Sequence, residues 1–111
     1  MKIKKHIGIR LNRQRLETLF HLYDWLISVY EWENESEFLL FAHLTAMYRR
    51  LQLMLQKQFA TMKLDFSEPE AVAFCMTWTA WNLDHDTHGK IVARDLVAKI
   101  DKERSRINAR K

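Results

Sequence analysis

The sequence predicts an all-α fold, a compact four-helix bundle-like domain completed or extended by homodimerisation. Three observations carry that expectation. Apolar types make up 48% of 111 residues, yet there are only two glycines and one proline, which supplies too few turns for a many-stranded sheet. Apolar residues recur at three-four spacing along four stretches, the period of a helix with one buried face. Short polar segments with helix-capping signals separate those stretches. A chain of this length builds one modest core, so the expected organisation is a basic N-terminal arm over 1–10 and one helical domain over 11–111.

Residues 1–10 place Ile3, Ile7 and Ile9 among lysines, His6 and Arg10. That imperfect alternation fits a basic arm, or a short strand if another chain supplied its partner. Asn12 is a candidate cap for the first helix, which runs to Tyr30 or Trp32 with Leu16, Leu19, Phe20, Tyr23, Leu26, Ile27 and Tyr30 as its stripe. Asn34 followed by Glu37 resembles a capping box, and Glu31, Glu33, Glu35 and Glu37 suit the positive end of a second helix.

That second helix is the element around which the chain is organised. Phe41, Leu44, Tyr48, Leu51, Leu55 and Met62 keep helical spacing, interrupted at Gln58, and Leu40, Met47 and Met54 widen the apolar surface, so the helix is expected over 38–62. Thr45, Arg49, Gln52, Gln56 and Lys63 are left for water. Ser67, Pro69 and Glu70 then give the sharpest local signal, a capping box with proline in the first turn of a third helix that reaches Trp81. Its residues Val72, Met76 and Leu83 trace one face, and Phe74, Trp78 and Trp81 another. The fourth helix starts between Thr87 and Lys90 and reaches Asn108, with a thinner stripe of Val92 or Ala93, Leu96, Val97, Ile100 and Ile107.

Charge is unevenly spread. The net charge of +4 comes from +6 in residues 1–15, −6 in 16–98 and +4 in 99–111. An acidic body with basic ends can attract a polyanion or another copy of itself. Lys2, Lys4, Lys5, Arg10, Arg13 and Arg15 are the candidate phosphate contacts, with Lys99, Lys102, Arg104 and Arg106 in support. One cysteine, Cys75, excludes an intramolecular disulfide framework, and its apolar neighbours fit a small packed hydrophobe. No apolar run reaches bilayer-spanning length and no secretory pattern opens the chain, so the expected location is the cytoplasm.

One loop carries suggestive chemistry. Counted from Asp84, it has aspartates at positions one and three (Asp84, Asp86), Gly89 at six, Ile91 at eight and Asp95 at twelve. This pattern resembles the calcium-binding EF-hand loop, and the resemblance implies oxygen ligands from Asp84, Asp86, the Lys90 carbonyl and Asp95 around a hard cation. It departs from that family where His88 takes a coordinating position, where Val92 stands near position nine, and where Asp95 replaces the longer glutamate. The candidate metal set is Asp84, Asp86, His88 and Asp95, for calcium or zinc. A softer set of His85, His88 and one or both of Asp84 and Asp86 would suit zinc. The plain structural alternative is a helix-loop-helix turn in which Asp86 or Thr87 caps the last helix.

No nucleophile and base stand in a recognisable pattern, and there is neither a glycine-rich phosphate loop nor a HExxH helix, so the sequence favours a non-enzymatic role. The leading expectation is a small helical protein-protein interaction or regulatory scaffold, homodimeric. Nucleic-acid binding through the basic ends and metal binding at the 84–95 loop are the alternatives.

Overall fold

Asn12, Asn34, Ser67 and Asp86 each offer a side-chain oxygen to the free amides of a first helical turn, and behind each of them a helix begins. In the computed structural model, which describes residues 6–108, the last two by backbone alone, these are α1 (Arg13–Val29), α2 (Glu35–Leu55), α3 (Glu68–Ala80) and α4 (Thr87–Asn108). Asn12 accepts from the Arg15 amide at 2.8 Å and Asn34 from the Glu37 amide at 2.9 Å. Ser67 and Glu70 cap reciprocally, at 3.3 and 2.8 Å, with Pro69 in the first turn where its missing N–H costs nothing. The chain is thus mostly helical, as its periodicity predicts, with α1 packed on α2 and α3 on α4.

Two stretches depart from the helical expectation. The second helix does not continue to Met62; it ends at Leu55, and Phe59 and Met62 lie outside it. The reason is alternation. Thr61–Ser67 reads apolar at every second residue, Met62, Leu64 and Phe66, and forms β2 with Leu64 and Phe66 buried. His6–Asn12 forms β1, burying Ile7, Ile9 and Leu11. The strand partner for the first stretch therefore comes from the same chain, since β1 and β2 make a two-stranded sheet. The strands run antiparallel: Arg13 donates its amide to the Ala60 carbonyl at 3.2 Å, while Gly8, earlier in β1, sits against Lys63 and Asp65, later in β2. A Cβ at Gly8 would meet only the exposed ends of the Lys63 and Asp65 side chains, which can swing aside.

Packing divides the chain into two units. Residues 12–62 form a helical hairpin in which Leu16, Leu19, Leu22, Tyr23 and Leu26 of α1, and Leu44, Met47 and Leu51 of α2, are buried. Phe20 stacks on Tyr48, ring centroids 4.9 Å apart, and the Tyr48 hydroxyl donates to Asp24 at 2.9 Å. Arg13 holds the far end of the hairpin: its guanidinium donates to the carbonyls of Leu55 and Lys57 at 2.7 and 2.9 Å, pairs with Glu17 at 3.2 Å and lies over the Phe59 ring.

The other unit, residues 1–11 with 63–111, contains the greater part of the strands and α3 and α4. Its buried side chains include Phe66, Phe74, Trp78, Leu83, Val92, Ala93, Leu96 and Ile100. Phe74 meets Phe66 and Trp78 edge-on, at 5.3 and 6.3 Å between ring centroids. Of the two faces expected on α3, that of Phe74 and Trp78 is buried and Met76 on the other is exposed. The Ile107 side chain, expected in the stripe of α4, lies outside the described residues.

Candidate functional site

The turn between α1 and α2 keeps aromatic side chains at the surface. Backbone extension at Tyr30 ends α1, and Asn34 restarts the helix four residues on, so Trp32 projects from a short link between two fixed ends. Trp32 is 45% exposed and Phe38 50% exposed, although each touches other rings: Trp32 lies 4.8 Å from Phe41 and 5.3 Å from Phe38, and Tyr30 stacks on Phe41 at 5.4 Å. The Tyr30 hydroxyl donates to the Glu37 carbonyl at 2.9 Å, and burial, followed by the Glu37 charge, raises its pKa. Asn34 fixes Glu37 from both sides, accepting from its amide and donating to its carboxylate at 2.9 Å each. Trp32, Glu33, Asn34, Glu35 and Phe38 enclose a shallow, open groove of about 410 Å³. Its lining combines two aromatic rings with two carboxylates.

Beside this corner, the back of α2 carries a second line, apolar except for Arg49. Leu39, Ala42, Ala46, Arg49 and Leu53 keep three-four spacing and are all exposed, Leu39 at 61% and Leu53 at 62%. They stand on the side of the helix opposite Leu44, Met47 and Leu51. Sequence reasoning reserved that side for polar groups. The signal is present in the sequence as a repeat of the same spacing, and it is weak because Ala42 and Ala46 contribute only a methyl each between the leucines.

The predicted metal residues do not converge. Asp84 accepts from the Lys90 ammonium at 2.5 Å, which lowers the pKa of its carboxyl. Asp86 accepts from the Gly89 amide at 2.9 Å as the cap of α4, the structural alternative for this loop. His88 is exposed in the first turn of α4, and Asp95 pairs with Lys99 at 3.0 Å. Among the described residues no three His, Cys, Asp or Glu side chains are grouped to hold a metal ion. Of the predicted phosphate contacts, Lys2, Lys4 and Lys5 lie outside the described residues. Arg10 is exposed on β1, Arg15 is half-buried on α1, and Arg13 is committed to the end of α2.

Cys75 is half-buried on α3, with its thiol 3.7 Å from the Asp101 carboxylate. Burial first, then the Asp101 charge and hydrogen bond, push the thiol from 9.0 up to about 11, against a smaller opposing pull from Arg104. Alkylation by iodoacetamide is expected to follow a pH profile centred near that raised value in the native protein, and Asp101→Asn is expected to shift it down. A native profile centred at 9.0 would contradict the assigned environment. Because the folded chain keeps this proton where the unfolded chain has released it, the thiol subtracts stability as pH rises from 9.0 towards about 11.

Comparison with protein-family models, with curated proteins and with solved structures found no match. Among the described residues no helix is long and apolar enough to cross a membrane.

Proposed function

We propose that this chain is a small protein-protein interaction scaffold that works as a homodimer, with the helical hairpin of residues 12–62 as its contact surface. The observation that carries the reading is the joined exposure of Trp32, Phe38 and Leu39 beside the line that ends at Leu53. Isolated exposed apolar residues are ordinary, but a contiguous aromatic and aliphatic surface with a charged rim is the composition of an interface. Trp32 is the expected anchor, since a large ring already held by Phe38 and Phe41 loses little freedom on contact.

Light scattering at physiological salt tests this directly. The expected result is a dimer mass, with Trp32→Ala weakening association at least tenfold, on the scale of an interface anchor. A monodisperse monomer would overturn the reading. So would a monomer that assembles only when calcium or zinc is added, which would favour metal binding by Asp84, Asp86, His88 and Asp95.

A further inference from the structure

We infer that the second copy seats on the back of α2, with the two α2 helices antiparallel and the two-fold axis passing by Ala46. This rests on the homodimeric reading and specifies its surface. The exposed line is symmetric at its two ends: Leu39 and Leu53 stand at equal distances in sequence on either side of Ala46. An antiparallel pairing about that residue sets Leu39 of one copy against Leu53 of the other, twice, as an isologous contact requires. Between them Ala42 and Ala46 carry only methyl groups, so the two backbones can approach closely at the axis, and Arg49, the long side chain of the line, reaches past it toward solvent.

Charge gives the same direction. Glu35 and Glu37 occupy the first turn of α2, following Glu31 and Glu33, and from Phe38 to Gln58 there is no acidic residue. Arg49 and Arg50 stand in its second half and Lys57 just past its end. A parallel pair would place acid on acid and base on base. The antiparallel pair sets Glu35 near the partner's Lys57 and lets the two helix dipoles oppose one another. It also sets the Trp32 and Phe38 corner of each copy beside the partner's Leu53 and Met54.

Two kinds of variant test the arrangement. In a Cys75→Ser background, Ala46→Cys is expected to cross-link under mild oxidation into a disulfide dimer, while Gln52→Cys, exposed but off the line, is not. Glu35→Lys is expected to raise the dimer dissociation constant at least about tenfold, and Glu35→Lys with Lys57→Glu to restore it. Within one chain Glu35 opens a helix about 30 Å long and Lys57 lies just past its far end, so restoration requires contact between copies. Equal cross-linking at Gln52, or no restoration in the double variant, in a protein that still measures as a dimer, would overturn this arrangement and leave the homodimeric reading standing. A wild-type monomer would overturn both.

Discussion

Replacing Trp78 with alanine is expected to cost about 3–5 kcal/mol, the usual scale for removing a large buried ring. The side chain is 1% exposed and packs edge-on against Phe74, which in turn meets Phe66 of β2. Truncation therefore removes one ring of a connected series that joins α3 to the sheet. Single domains are stable by only about 5–15 kcal/mol, so the loss is a large share of the total. Urea unfolding followed by far-ultraviolet circular dichroism would show it as a lower midpoint. Trp78→Phe keeps much of the ring and should recover more than half of the loss. A Trp78→Ala protein with an unchanged midpoint would contradict the packing described.

The second large effect is expected at Arg13, a residue that charge alone places among the candidate phosphate contacts. Arg13→Ala removes two donors to the Leu55 and Lys57 carbonyls together with a ring contact to Phe59, and is expected to cost about 1–3 kcal/mol. Its charge stands at the negative end of the α2 dipole, which adds to the hydrogen bonds. Arg13→Lys should lie between the two, because a single ammonium cannot fork across both carbonyls. Hydrogen exchange gives the sharper readout: the amides in the last turn of α2 should lose protection in Arg13→Ala more than those of its middle turn. Equal protection in both proteins would assign Arg13 to solvent.

Much of this fold is legible before any coordinates are seen, for local reasons. Asn12, Asn34 and Ser67 cap where a short polar side chain can reach back to a free amide, and that geometry needs only three neighbouring residues. The end of α2 could not be read in the same way. Leu51, Leu55 and Met62 keep helical spacing, but Met62, Leu64 and Phe66 also keep strand spacing, and what decides between them is the partner strand far away at His6–Asn12. The same distance dependence hid the role of Arg13, whose acceptors lie more than forty positions along the chain.

The candidate surface was legible in one part only. The aromatic wealth of the first turn is plain in Trp32, Phe38 and Phe41, whereas which rings stay at the surface follows from the short link between α1 and α2. For the 84–95 loop the spacing resembled a cation cradle, while the individual chemistry favoured nearer partners. Asp86 met the Gly89 amide, and Asp84 met the Lys90 ammonium.

The meeting of Arg13 with Ala60 has an architectural consequence. A backbone hydrogen bond of 3.2 Å closes the base of the helical hairpin, so the segment begins and ends at nearly one point in space. Ends that meet in this way are the geometry of an insertable cassette: placed at a tight turn of an unrelated host, the segment is expected to leave the recipient's backbone unstretched.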